Sequence, residues 1–302
     1  MLSPTPVSNK YRYGLLSAGV GMAQKTSDYY VRLTIVLPTF NEADNIGNII
    51  PELFSMYPGV RIIVVDDSSR DGTPSVVEAM AKQYPGLKLI ERKNTRRGLT
   101  ASVMEGILAV ETPYFINMDA DFQHPPASVQ GLYAALEEGA DLVIGTRQTM
   151  GPLTFFRRIA SQGAHKLAAT YLWFKHQKSS TDLMSGFFGG RTDVVRDVIV
   201  RKGDGFERKG FKVLFDMLKF MPKDARYTEV QYTFGDRTKG TSKLNGQVVL
   251  SVMKQCGPVG KTTGFFLEFF LINPAGRVVG LLLLAAIFMF AVMVTGAPPP
   301  KP

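Results

Sequence analysis

The chain has 302 residues, 45% hydrophobic and 20% charged, with 35 Lys and Arg against 26 Asp and Glu for a net charge of +9. That is too apolar for a disordered chain, and long enough for one large domain or two ordinary ones with a substantial core. The single cysteine, Cys256, excludes an internal disulfide framework and suits a reducing compartment.

Residues 1–30 read as a flexible leader, because glycines and a serine make the stretch Gly14 to Ala23 too poor an apolar segment for a signal peptide. From 31 to 145 strand and helix patterns alternate. Leu33-Thr-Ile-Val-Leu37, Arg61-Ile-Ile-Val-Val65, Leu87-Lys-Leu-Ile90, Tyr114-Phe-Ile-Asn-Met118 and Asp141-Leu-Val-Ile144 are short β-branched or aromatic runs, separated by helical patterns near 43–56, 74–84, 98–110 and 126–138. This order predicts an α/β fold with a mostly parallel sheet and helices on both faces. Ligands in such sheets sit beyond the carboxyl ends of the strands. The segments after those ends are polar and acidic here: Pro38-Thr-Phe-Asn-Glu42, Asp66-Asp-Ser-Ser-Arg-Asp-Gly72, Asp119-Ala-Asp-Phe-Gln-His-Pro125 and Gly145-Thr-Arg147. Residues 154–175 read as a helix, and an αβ stretch over 192–234 completes the domain.

The positive charge is concentrated. No acid occurs from Leu142 to Thr181, where Arg147, Arg157, Arg158, Lys166, Lys175 and Lys178 lie, nor from Arg237 to Leu267, where Arg237, Lys239, Lys243, Lys254 and Lys261 lie. The 154–175 stretch adds Phe155, Phe156, Tyr171, Trp173 and Phe174, a mixture suited to a headgroup region. Val278 to Gly296 carries no charge. As a helix it would span roughly 28 Å, close to a bilayer's ~30 Å hydrocarbon core. Lys254, Lys261 and Arg277 precede it and only Lys301 comes after, so the bulk of the chain is expected in the cytosol. Residues 245–276 then form an amphipathic interface segment, 277–296 a single transmembrane helix and 297–302 a short tail. Such a chain would be held at the endoplasmic reticulum in a eukaryote or at the plasma membrane in a prokaryote. Nucleic-acid binding would account for the charge, but not for the acidic strand ends or the apolar run.

Carboxylates at i and i+2, where a strand breaks into a turn, can converge on one hard cation and leave positions for phosphate oxygens. Asp119 and Asp121 stand so, with Gln123 adding a neutral oxygen. Asp66-Asp67 can accept hydrogen bonds from a ribose hydroxyl or a base N–H, whereas Asp71-Gly72 reads as a turn before a helix starting near Thr73-Pro74. There is no G-x-G-x-x-G after the first strand and no P-loop, against a dinucleotide enzyme or a P-loop NTPase. Phe234-Gly-Asp-Arg-Thr-Lys-Gly-Thr-Ser-Lys243 suits phosphates, Arg offering a fork and Lys a point charge. His124, His165 and His176 show no metal-ligand spacing.

Taken with Val65-Asp-Asp-Ser-Ser-Arg-Asp-Gly-Thr73, Gly98-Leu-Thr-Ala101, Asp182-Leu-Met-Ser-Gly-Phe187, Lys209-Gly-Phe-Lys212 and Asp236 to Leu244, these motifs resemble glycosyltransferase family 2 with a Rossmann-like GT-A fold over residues 31–244. Within that family the chain is most similar to the dolichyl- or polyprenyl-phosphate mannose synthases. The resemblance implies that Pro38, Phe40, Glu42, Val65 and Asp67 hold the nucleoside of GDP-mannose; the family usually has Tyr where Phe40 stands. It implies that Asp119, Asp121 and Gln123 bind Mg2+ or Mn2+ across the diphosphate, with Ala120 contributing backbone, and that Arg147, Arg237 and Lys243 clamp phosphate. Ser185 is expected at the acceptor phosphate and Asp182 in a base or orienting role. Implied partners are GDP-mannose, dolichyl or polyprenyl phosphate, the bilayer and a possible membrane subunit, and transfer would invert the anomeric centre. The rival readings are a polyprenyl-phosphate glucosyltransferase using UDP-glucose and, from another class, an inactive membrane-tethered nucleotide-sugar sensor.

Overall fold

The computed structural model describes residues 30–93, 97–148, 165–166, 168–207, 213–235, 255–256 and 262. Its centre is a seven-stranded sheet: β1 (Leu33–Thr39), β2 (Arg61–Asp66), β3 (Leu87–Glu91), β4 (Tyr114–Asn117), β5 (Leu142–Arg147), β6 (Phe188–Arg191) and β7 (Tyr227–Tyr232), in spatial order β3-β2-β1-β4-β6-β5-β7. β1 is buried over all seven residues and β2 over five of six, as expected for strands covered on both faces. Alternate side chains serve opposite layers. Leu33, Ile35, Leu37, Ile62 and Val64 pack with α1 (Ala43–Met56), α2 (Thr73–Ala81) and α4 (Val129–Glu137). Val36, Ile63 and Val65 pack with α3 (Leu99–Leu108), α5 (Thr192–Lys202) and α6 (Val213–Phe220). Each helix supplies the stripe that this requires; in α1 it is Ile46, Ile49, Ile50 and Leu53, at helical spacing.

One strand carries no signal in the sequence. β6 pairs antiparallel with both β4 and β5 and separates them in an otherwise parallel sheet. β5 also runs on past the apolar pattern that ends at Ile144, as far as Arg147, paired throughout with β7. The sheet is therefore mostly parallel, as anticipated, and the carboxyl ends of β1, β2, β4, β5 and β7 share one edge.

The leader, the apolar run 277–296, the tail and nearly all of 245–276 fall outside the described residues. Among those described, no helix is long and apolar enough to cross a membrane. Gln255 and Cys256, which are described within the 245–276 stretch, pack against the domain. Gln255 is buried and donates from Nε2 to Asp216 Oδ2 at 2.7 Å, while its carbonyl accepts from Lys219 Nζ at 2.9 Å. Cys256 is half-buried beside the core, and burial pushes its thiol up to about 11, the mark of an inert packing cysteine. Of the basic aromatic helix, positions 165–166 and 168–174 are described and helical; Trp173 and Phe174 are 69% and 68% exposed, with ring centroids 4.9 Å apart.

Candidate active site

β1 leads into the turn that starts α1. Pro38 lies beside Val65 in the register of β1 and β2; Pro38 is buried and the Val65 side chain belongs to the core. Phe40 is half-buried beneath the Arg97 guanidinium, 4.7 Å from its ring centroid, a cation–π geometry open to a lone ring without a hydroxyl. Glu42 precedes α1; its amide donates to Thr73 Oγ1 at 3.0 Å, and its Oε2 accepts from Asn45 Nδ2 at 2.7 Å.

The two acids after β2 differ. Asp66 is buried and accepts from Thr39 Oγ1 and from the Ser69 amide and hydroxyl, so it builds the turn. Asp67 is held from two sides, by the buried Arg92 guanidinium on Oδ1 and by the Gly98 amide at 2.9 Å on Oδ2. Arg92 also reaches Glu105 at 3.0 Å. Asp71 proves structural: it accepts from the Ala43 and Thr73 amides at 3.0 Å each and from Thr73 Oγ1 at 2.6 Å, joining the starts of α1 and α2.

β4 breaks at Asn117, and the chain turns through Asp119-Ala-Asp-Phe-Gln123 with Phe122 at φ 64°. Asp119 is partly open, its side chain 39% exposed, while Asp121 is 4% exposed and accepts from the Gln123 amide at 3.1 Å. Ala120 is buried beneath them. A β-carbon placed on Gly186 would come within 3.3 Å of both Asp119 Oδ2 and His124 Cε1, so the bare glycine leaves the space beside this carboxylate. Among the described residues no group of three or more His, Cys, Asp or Glu could hold a metal ion. Two carboxylates and a neutral amide oxygen on one turn, with space beside Asp119, are a hard-oxygen set that phosphate oxygens and water would complete, which fits Mg2+ or Mn2+.

Arg147, the last residue of β5, meets Asp182 in a bidentate pair: Nε to Oδ2 at 2.7 Å and Nη2 to Oδ1 at 2.9 Å. Burial by itself would lower the arginine's pKa; the hydrogen bonds and charge of Asp182 outweigh it and keep the guanidinium firmly charged. It also lies 5.4 Å from the Phe234 ring centroid. Ser185, expected at the acceptor phosphate, is buried, and its hydroxyl donates to the Gly145 carbonyl at 2.7 Å. The Gly235 amide donates to the Gln123 carbonyl at 3.0 Å, so the chain entering the cationic loop starts against the acidic turn. Arg237, Lys243 and the motif at 209–212 lie outside the described residues.

Three residues of the site carry roles that the sequence does not assign. Arg92 pairs with Asp67 across 25 positions, Asn117 donates to the Gly186 carbonyl at 2.7 Å, and His124 lies beneath the acidic turn. The His124 Nδ1 accepts from the Asp119 amide at 2.9 Å, and burial holds the imidazole below its ordinary pKa against the pull of Asp119 and Asp121.

An α/β sheet with acids and an ion-paired arginine gathered at the carboxyl ends of its strands places polar groups where ligands of such sheets sit. Residues 34–199 match glycosyl transferase family 2, more than half of the chain, and the protein belongs to that family. It is 31% identical over 230 residues to a dolichol-phosphate mannosyltransferase of Pyrococcus furiosus, covering 74% of this chain but only 62%, less than two thirds, of that relative. It is 32% identical to the dolichol-phosphate mannosyltransferase of Saccharomyces cerevisiae, covering 74% of this chain and 85% of the relative. Among solved structures, glucosyl-3-phosphoglycerate synthase of Mycobacterium tuberculosis, in complex with Mn2+, UDP and glucosyl-3-phosphoglycerate, superposes with a TM-score of 0.55 at 20% identity, over 81% of this chain and 87% of that one. That likeness establishes the shared GT-A-like fold.

Proposed function

We propose that the protein transfers mannose from GDP-mannose to dolichyl or another polyprenyl phosphate at the cytosolic face of a membrane, with inversion at the sugar. The observation that carries this reading is the Asp119–Asp121 turn beside a charged Arg147 at the strand ends, in a chain about 30% identical to proteins named for that activity.

The nucleoside would rest at the ends of β1 and β2, with Phe40 and Asp67 toward it and Asp67 held in place by Arg92 and Gly98. Asp119, Asp121 and Gln123 would hold Mg2+ or Mn2+, and a divalent cation there would neutralise charge developing on the departing diphosphate. Arg147 presents a fixed positive fork to phosphate, and Asp182 keeps that fork from swinging. A lipid monophosphate is already an anionic nucleophile, so no strong general base is required, and Asp182 orients rather than abstracts. The acceptor's tail stays in the bilayer, which explains a basic aromatic helix, the segment 245–276 and the spanning run 277–296 on one protein.

The test is transfer of radiolabelled sugar to a short-chain polyprenyl phosphate by the full chain in detergent, from GDP-mannose or from UDP-glucose, with and without chelator. Chelator-sensitive label in the lipid fraction from GDP-mannose alone is expected. Label from UDP-glucose instead would overturn the choice of sugar, and label from neither would overturn the activity.

A further inference from the structure

The last ladder contact on this side of β4 is the Met118 amide, which donates to the Val36 carbonyl at 3.1 Å. The next amide, that of Asp119, stands where the strand has ended, at the point where a backbone donor ordinarily loses its partner. Here the partner is a side chain five residues on. His124 folds back under the turn, and its Nδ1 accepts the Asp119 N–H at 2.9 Å. An atom that accepts from an N–H carries a lone pair, so this ring is the Nε2–H tautomer. At 3.8 Å from Asp119 Oδ2 it is therefore a neutral neighbour of the carboxylate and not its ion-pair partner.

The ring is fixed on every described side. It is 3% exposed, stacks on Phe187 at 5.1 Å and 14°, and meets Tyr232 and Phe234 edge-on at 5.8 and 6.1 Å. Pro125 and Pro126 restrict the backbone directly after it. The same turn is crossed from above by the Gly235 amide on the Gln123 carbonyl. A partly exposed carboxylate thus stands on a backbone pinned by a buried, immobile ring.

We propose that His124 is the positioning residue of the acidic turn: its Nδ1 lone pair holds the Asp119 amide and so sets the Asp119 and Asp121 carboxylates for a divalent cation. The inference rests on reading those two acids as cation ligands. His124 itself touches neither donor nor acceptor. Losing an outer partner of this kind weakens metal affinity about 10–100-fold.

Three variants of the full chain in detergent separate the hydrogen bond from the packing. His124→Phe keeps a flat ring for Phe187 to stack on and removes the lone pair. His124→Asn carries an amide oxygen near the Nδ1 position. Phe187→Leu removes the stack and leaves the lone pair. Mn2+ binding in the presence of GDP, measured by electron paramagnetic resonance, is expected to weaken at least tenfold in His124→Phe and to stay within about threefold of wild type in the other two. Wild-type affinity in His124→Phe, or equal loss in His124→Phe and His124→Asn, would overturn the proposal. Should His124→Phe fail to fold, 15N NMR of the wild-type imidazole still decides: an unprotonated Nδ1 with a protonated Nε2 is expected, and the opposite tautomer overturns it. A wild-type protein that shows this tautomer but binds no Mn2+ would refute the cation reading and leave the hydrogen bond standing.

Discussion

Arg147 and Asp182 give the sharpest quantitative expectation. Two short charge-assisted bonds join them, and their side chains are only 26% and 13% exposed. Asp182→Asn keeps the shape and removes the negative charge, leaving a mostly buried guanidinium without its counter-ion. Breaking a fully buried pair costs about 3–5 kcal/mol; the water still reaching Arg147 reduces this to roughly 2–3 kcal/mol. In a chain of this length that corresponds to a melting temperature lower by about 3–5 °C. Arg147→Lys keeps the charge and loses the fork, so the two substitutions should couple by about 1–3 kcal/mol in a double-mutant cycle. Thermal unfolding of the four proteins in one detergent measures the coupling, and mannosyl transfer by the same samples measures its catalytic share. We expect kcat/KM to fall by roughly a hundredfold in Asp182→Asn, the scale of a misplaced catalytic group. An Asp182→Asn protein that melts and turns over like wild type, with additive effects in the cycle, would refute the view that this pair orients the phosphate fork.

The remaining expectations are simpler. Asp121→Ala should abolish cation-dependent transfer while circular dichroism and melting stay close to wild type; rapid turnover by the folded variant would remove Asp121 from the cation site. Trp173→Ala and Phe174→Ala should each weaken binding to anionic vesicles roughly tenfold, a part of the ~1.5–3 kcal/mol that full burial of such a side chain provides, and co-sedimentation unchanged by both would separate this pair from the membrane. At Asp71 burial alone would raise the pKa, but the hydrogen bonds from Thr73 and Ala43 prevail and hold the carboxyl below its ordinary range. Its contribution is therefore full above the unfolded-state pKa and is lost as pH falls through the lower folded value. Asp71→Asn should cost about 0.5–1 kcal/mol at neutral pH, modest for so exposed a cap, with the two melting curves converging in acid. Gly106→Ala sets a helix-propensity gain of about 0.5–1 kcal/mol against a β-carbon 2.5 Å from Val36 Cγ1. The clash should prevail by about 1–2 kcal/mol of lost stability in urea titration.

The strands that are legible in the sequence are those whose own residues carry the pattern. β1 and β2 are continuous apolar runs because both faces are covered, and the acids after them mark where the sheet stops. β6 is illegible for a physical reason. Its Phe-Gly-Gly-Arg looks like a loop, yet a β-carbon on Gly189 would lie 2.5 Å from the Phe115 carbonyl oxygen and 2.8 Å from Ile116 Cγ1. The closeness of its neighbours demands the residue that strand propensities reject. The acidic turn and Arg147 can be found from their place after strands. Arg92 cannot, because its partner lies 25 positions away and is met only in three dimensions, and the motif that contains His124 does not show that its ring turns back onto the Asp119 amide. The aromatic helix is legible from composition where it is described, at 165–166 and 168–174, and among those residues Trp173 and Phe174 are the exposed rings.

The antiparallel strand also bears on how the chain is assembled. β4 and β5 are consecutive in sequence, but the strand that joins them is not synthesised until residue 191, after the acid-free stretch has been made. Until then β4 and β5 lack the strand that joins them, so the edge that β4 presents to β6 in the finished sheet is expected to be open. Closing the gap brings together residues such as Asn117 and Phe188, 71 positions apart, so this step has a high loop-closure cost and should be slow. A ribosome-bound fragment ending near 187 would thus display β4 as a sticky border, and one ending past 235 would not. The keystone of the sheet is laid late, just after the Gly186 that adjoins the acidic turn.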